Sequence, residues 1–202
     1  MNFVAEGVAA RNRLSDGRLF AGLGTGWTER EFKMTDISFP DIGTRLRMLD
    51  EALTCIRSLW TNEHTTVAGE FYQFNESILW PKPVQQPHPP ILLGGGGKGL
   101  LRVAAKHADI VNIISDAGKP GYIKLANVAK LTDENFQAKV KFLRQEAARL
   151  GRDGSKIRIS NVIFSVILTN SAAETQATAE GMAPMFNTSP EGLLHSPLSL
   201  IG

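Results

Sequence analysis

The 202-residue chain has one cysteine, four histidines and a near balance of charge, and each scarcity removes a class of function. A lone Cys55 rules out an internal disulfide and suits a reducing, cytoplasmic setting. Set between apolar neighbours in a helical pattern, it reads as a small buried hydrophobe rather than a reactive thiol. His64, His88, His107 and His195 have neither i, i+4 spacing nor flanking cysteine or carboxylate clusters, so no metal site is expected. His107, near the end of a helical pattern, is expected to interact with the helix dipole. Twenty-two basic against twenty acidic residues leave +2 with no basic run, which argues against a nucleic-acid surface. No stretch approaches the roughly 18 apolar residues of a membrane span. Residues 2–14 are interrupted by Glu6, Arg11 and Arg13, so they read as an amphipathic helix and not as a signal peptide.

What the chain does have is alternation. At 43% hydrophobic it can bury one sizeable core, and one domain over residues 1–202 is the expectation. Residues 19–23 form an apolar run bounded by glycine, which predicts a strand buried on both faces. Leu46, Leu49, Leu53, Ile56 and Trp60 recur at spacings of three and four, which predicts a helix with Thr44 as N-cap. Residues 65–74 read as a hairpin around a glycine turn. Five prolines between Pro81 and Pro90 then hold the chain extended. Pro87-His88-Pro89-Pro90 matches a PxxP ligand, but a stiff lead-in to the next strand is the preferred reading. Further on come a short strand over 110–114, a helix carrying Phe136, Val140, Leu143, Ala147 and Leu150 and stopped by Gly151, and an apolar strand over 162–168 covered on both faces. Such units imply a parallel sheet with outer helices, either a barrel or a doubly wound sheet.

Two glycine-rich turns carry the chemistry. The first is Gly22-Leu23-Gly24-Thr25-Gly26-Trp27, and the second is Gly94-Gly95-Gly96-Gly97-Lys98, which runs into a helical pattern. A turn without Cβ atoms at a helix N-terminus exposes N–H groups to an anion, so the second turn reads as a phosphate seat. It is not a P-loop, because Gly99 follows Lys98 and Leu92 holds the first glycine position. It does satisfy G-x-G-x-x-G, with Asp116 after the next strand, so an NAD(P)-binding Rossmann-type protein stays open.

Five segments in order resemble the luciferase-like flavin and deazaflavin oxidoreductases, a family of (β/α)8 barrels. They are Leu14-Ser15-Asp16-Gly17-Arg18-Leu19, the first glycine turn with Glu31-Phe32, Trp80-Pro81-Lys82-Pro83-Val84-Gln85, the segment from Pro89 to Gly97, and Arg102-Val103-Ala104-Ala105-Lys106-His107-Ala108-Asp109. The resemblance implies an incomplete α/β TIM-type barrel over residues 1–202, with a hairpin and proline-rich insertion at about 63–90. Its strands four to seven would be residues 19–23, 91–93, 110–114 and 157–168. Strands one to three would have no counterpart, and residues 198–202 would stop where an eighth strand begins. Open edges and an uncovered inner face would then favour association with another chain, and a homo-oligomer is expected.

By position, the resemblance puts a cofactor phosphate on Gly94, Gly95, Gly96 and Gly97, with Lys98 a weaker contributor that is as readily solvated. Gly24, Thr25, Gly26 and Trp27 would lie beneath the cofactor ring. Trp27 is either an apolar wall at the reacting carbon or a buried aromatic, and Glu31 either a catalytic group or a salt-bridge partner. The implied reaction is hydride transfer between a small organic substrate and coenzyme F420, or monooxygenation with FMN. The tail Ser189-Pro190-Glu191-Gly192-Leu193-Leu194, with Ser196-Pro197 and Leu200-Ile201-Gly202, leans toward F420. Substrate and catalytic residues are not assigned, and a non-catalytic flavin-binding protein is the alternative.

Overall fold

The computed structural model describes residues 2–115, 131–163, 165–197 and 199–202. Along the chain the elements are α1 (Asn2–Leu14), β1 (Ala21–Leu23), α2 (Glu29–Met34), α3 (Ile42–Thr61), β2 (Thr65–Ala68), β3 (Gln73–Ser77) and β4 (Ile91–Gly94). They continue as α4 (Lys98–His107), β5 (Ile110–Asn112), α5 (Asp133–Arg149), β6 (Arg158–Ser160), β7 (Ser165–Ile167), α6 (Ala172–Phe186), α7 (Pro190–Leu194) and β8 (Ser199–Ile201). No described helix is long and apolar enough to cross a membrane.

The stripe predicted for α3 is its packing face: Leu49, Leu53, Ile56 and Trp60 are all buried. The helix begins earlier than the pattern suggested. Asp41 is the N-cap, accepting the Thr44 N–H at 3.1 Å and the Thr44 hydroxyl at 2.6 Å, which corrects the Thr44 assignment. An aspartate makes the stronger cap, since its carboxylate also suits the positive helix end. Trp60 donates from Nε1 to the Ala5 carbonyl at 3.0 Å and so ties α3 to α1, where the small residues Ala5 and Ala9 are fully buried. The hairpin is β2–β3, as expected, and its turn docks on α3. Glu51 accepts the N–H groups of Glu70, Phe71 and Tyr72 at 3.0, 3.0 and 2.6 Å.

The proline segment leads into β4 as predicted. His88, 8% exposed, accepts from Arg57 Nε at 3.2 Å and has its Nδ1 2.9 Å from the Pro89 carbonyl oxygen. A PxxP ligand so occupied is unavailable to a partner domain.

Four strands form a parallel sheet in the order β1-β4-β5-β6, so spatial order follows chain order without reversal. The register aligns Leu23 with Leu93, Gly94 with Asn112, and Asn112 with Ser160. Ile91, Leu93, Val111 and Ile113 point to the helices and enter the main core with α3, α4 and α5 residues. The alternate residues Phe20, Gly22, Leu92, Ile110 and Arg158 share the opposite face. Arg158 Cζ lies 5.4 Å from the centre of the Phe20 ring. Their strands are the outermost two of the sheet, about 14 Å apart at three ordinary strand spacings. The two long side chains reach toward each other across that face.

Two expectations need correction. The strand at residues 19–23 is only Ala21–Leu23 and is not buried on both faces: Gly22 is exposed and Phe20 is 50% exposed. The region 157–168 is not one strand. β6 pairs with β5, whereas β7 pairs parallel with β8 in a separate sheet. β5 ends at Asn112, the Ile113 N–H to the Ser160 carbonyl is the last bond to it, and Asn161 turns its amide to the Pro197 carbonyl. Val166 and Leu168 are 64% and 85% exposed, so the apolar run there is not covered on both faces. Residues 199–201 form β8.

Candidate functional site

The second glycine turn joins β4 to α4 at the carboxyl edge of the sheet. Gly95 has φ +154°, and a Cβ there would stand 2.1 Å from Leu100 Cδ2. At Gly96 a Cβ would meet the Ile114 carbonyl oxygen at 2.0 Å. These two positions admit only glycine. Gly94 and Gly97 differ: both are exposed, and among the described residues a Cβ at either would find nothing within 4 Å. The Gly95 N–H is used by the Asn112 carbonyl at 3.0 Å, and the Leu101 N–H is bound to the Gly97 carbonyl at 3.0 Å. The N–H groups of Lys98, Gly99 and Leu100 precede the first intrahelical bond of α4, and Gly97 caps them with no side chain. The turn thus offers donors, a helix dipole and open space, which is what a phosphate requires.

Two lysines flank it differently. Lys98 Nζ lies 5.7 Å from the Phe142 ring centre, with Arg102 Cζ 5.5 Å from the same ring, so Lys98 leans on α5. Lys139 on α5 instead donates to the Gly96 carbonyl at 2.6 Å. A cleft of about 210 Å³ lies between the turn and α5, lined by Gly96, Gly97, Lys98, Lys139 and Phe142.

The first glycine turn stands beside it, because Leu23 and Leu93 are aligned and both turns leave the same sheet edge. Gly26 has φ +74° and packs against Phe32, whose Cζ would lie 2.6 Å from a Cβ. Arg45 of α3, 7% exposed, clamps this turn from below. Its Nη1 donates to the carbonyls of Gly26 at 2.6 Å and Thr25 at 3.3 Å, and its Nε to Pro40 at 3.0 Å. Its guanidinium also lies 3.8 Å from the Phe39 ring centre. Burial lowers the Arg45 pKa from its usual value, partly offset by the charge of Asp41. Gly24 is exposed, Thr25 half-buried, and Trp27 48% exposed, so Trp27 is no buried aromatic. Glu31 is exposed in the first turn of α2. A largely apolar cleft of about 220 Å³ adjoins the turn, lined by residues including Leu23, Gly24, Thr25, Arg45, Leu49 and Tyr72.

Sequence reasoning missed Arg45, Lys139, Asn112 and Ser160. Asn112 donates from Nδ2 to Ser160 Oγ at 3.1 Å, and both end strands next to Gly94. A polar residue closing an apolar parallel strand was the available signal for this pair. Arg45 and Lys139 sit among other charged helix residues, and only the fold brings them to the turns.

Among the described residues no cluster of histidine, cysteine and carboxylate could hold a metal. His107 corrects another expectation. It is buried, and Nε2 donates to Asp50 Oδ1 at 2.6 Å while Nδ1 has no partner among the described residues. Burial pushes its pKa down to about 4, outweighing the Asp50 hydrogen bond. A neutral imidazole has no cationic interaction with the helix dipole. Arg152 takes that place, donating to the carbonyls of Ala105 at 2.7 Å and Ala108 at 2.9 Å. Asp116, proposed for a dinucleotide ribose, lies outside the described residues.

Comparison with known proteins places this geometry. A family model described as luciferase-like monooxygenase matches residues 3–195. An uncharacterised Mycobacterium tuberculosis protein is 36% identical over 152 residues, covering 75% of this chain and 47% of that protein. An FMNH2-dependent dimethylsulfone monooxygenase of Pseudomonas putida is 30% identical over 105 residues, 52% of this chain and 29% of that enzyme. The chain spans at most about half the length of these curated relatives. Among solved structures, an F420-dependent secondary alcohol dehydrogenase with an F420-acetone adduct superposes with a TM-score of 0.65 at 20% identity. That match covers 98% of this chain and 55% of the dehydrogenase, and it shows a shared α/β fold.

Proposed function

The chain belongs to the luciferase-like monooxygenase family, and from that premise we propose that it is a flavin- or deazaflavin-dependent oxidoreductase that uses coenzyme F420 for hydride transfer to or from a small organic substrate. One observation carries the reading: the tetraglycine turn leaves an uncapped helix end and open space beside Gly94 and Gly97, directly next to the first glycine turn. The four-stranded sheet then stands for strands four to seven of a barrel wall, with the pocket at its carboxyl edge. Sequential strand order supports a barrel over a doubly wound sheet, whose order reverses at its ligand site.

The donor set fits the phosphate of either cofactor. The N–H groups of Gly97, Lys98 and Gly99 would hold it, and Gly94 and Gly97 leave room for it. Gly24, Thr25 and Gly26, set by Arg45, would offer the ring a surface without bulk, and Trp27 would screen it from water. A bound deazaflavin supplies hydride chemistry at its own ring carbon, and the chain positions and shields it. The buried Cys55 agrees with a cytoplasmic enzyme.

The test titrates the purified chain separately with F420, FMN and NADP, then follows bound cofactor by absorbance while small alcohols are supplied as hydride donors. F420 binding followed by bleaching is expected. Binding without bleaching favours a flavin-binding protein without turnover. FMN binding without F420 binding favours a monooxygenase, and failure to bind either flavin removes the proposal.

A further inference from the structure

The peptide joining Gly96 to Gly97 is held at one end and free at the other. Its carbonyl accepts the Lys139 ammonium at 2.6 Å. The bond is trans, since the cis peptides in the described chain are Trp80-Pro81 and Gln86-Pro87. In a trans peptide the N–H points opposite to the C=O. Anchoring the Gly96 carbonyl to α5 therefore turns the Gly97 N–H away from α5. Gly96 has no freedom to rotate out of this arrangement without loss, because it is buried against the Ile114 carbonyl, 2.0 Å from where its Cβ would be. Gly97 is exposed with open space around it. The neighbouring cation, Lys98, leans on Phe142 instead.

We propose that Lys139, and not Lys98, is the positioning residue of the phosphate seat: its bond to the Gly96 carbonyl aims the Gly97 N–H at the cofactor phosphate and brings one positive charge to the turn. This rests on the reading of the tetraglycine turn as the phosphate end of a flavin or deazaflavin site. Lys139 reaches the turn from another helix, so its role is independent of the glycine pattern. A charge-assisted bond of this kind also polarises the peptide it holds, which strengthens the N–H as a donor.

The experiment compares ligands with and without the phosphate, of which FMN and riboflavin differ in nothing else. Wild type, Lys139→Met and Lys139→Arg are titrated with FMN and with riboflavin by flavin fluorescence, and the pair is repeated with F420 and its phosphate-free deazariboflavin. Wild type is expected to prefer the phosphate-bearing ligand. Lys139→Met is expected to reduce that affinity on the order of tenfold, a typical effect of one charge-assisted contact, while leaving the phosphate-free ligand unchanged. Lys139→Arg, still a cationic donor, should restore most of the preference. An unchanged ratio of the two affinities in Lys139→Met overturns the proposal, as does an equal loss of both ligands in a folded variant. Should Lys139→Met not fold, the same ratio is read from Lys139→Gln. If wild type itself shows no preference for phosphate, the reading of the turn fails first, and the role of Lys139 with it.

Discussion

At the scale of single residues, His107 shows how burial overrides the ordinary behaviour of a side chain. Its neighbours are Asp50, bonded to Nε2, Lys106, whose Nζ bonds Asp50 at 3.0 Å, and Arg57, whose charge adds to the lowering. Desolvation holds the folded pKa at about 4 against 6.5 for the free side chain. The unfolded chain therefore binds the proton first as pH falls, and stability declines between pH 6.5 and about 4. The Asp50 pKa lies below its usual value because bonds from Lys106 and His107 outweigh its burial, so its own contribution is lost only below 3.8. The two windows do not overlap. Wild type should lose roughly 2 kcal/mol more than His107→Gln between neutral pH and about 4.5, measured by urea unfolding. Parallel losses in the two proteins would show that His107 is not the titrating group.

At the scale of elements, the tetraglycine turn separates positions needed for folding from positions needed for binding. Gly96→Ala drives a methyl into a backbone oxygen, and the sheet-to-helix connection cannot yield without breaking the β4–β5 pairing. A loss of at least about 3 kcal/mol is expected. Gly97 has φ −77°, ordinary for any residue, and no neighbour to clash with. Gly97→Ala should cost about 1 kcal/mol of stability, since glycine is the better cap of the two, well short of the loss at Gly96, yet weaken phosphate-bearing flavins about tenfold by filling the seat. Thermal unfolding and flavin titration of the two variants check this. Equal affinity of Gly97→Ala and wild type would place the anion elsewhere.

Much of this architecture was legible because periodicity reports burial. The Leu49, Leu53, Ile56, Trp60 stripe marked α3, and Gly151, at φ +72°, marked the end of α5. Both glycine turns were visible since only glycine tolerates such close approach. Partner exchange left no trace: residues 157–168 are apolar throughout, whether they pair with β5 or with β8. Nor could spacing reveal Lys139 or Arg45, whose targets lie 43 and 19 residues away on other elements.

For the whole molecule, the consequence of unpaired strand edges is surface. Among the described residues β1 is bonded only to β4 and β8 only to β7, so each keeps one edge unpaired by them. Val166 and Leu200 are aligned in register, hence on one face, and are 64% and 55% exposed, with Leu168 at 85% close by. Phe20 adds a half-exposed ring beside β1. Free edges beside apolar patches template association with another chain. Self-association of the purified chain is therefore expected, visible by sedimentation velocity as a mass that rises with concentration. Lysine in place of both Val166 and Leu200 should shift the chain toward monomer while leaving stability within about 1 kcal/mol, because neither side chain is in the core. A wild-type chain that stays monomeric to ~100 µM, a range in which exposed apolar edges ordinarily associate, would mean that β7 and β8 are not the exposed pair described.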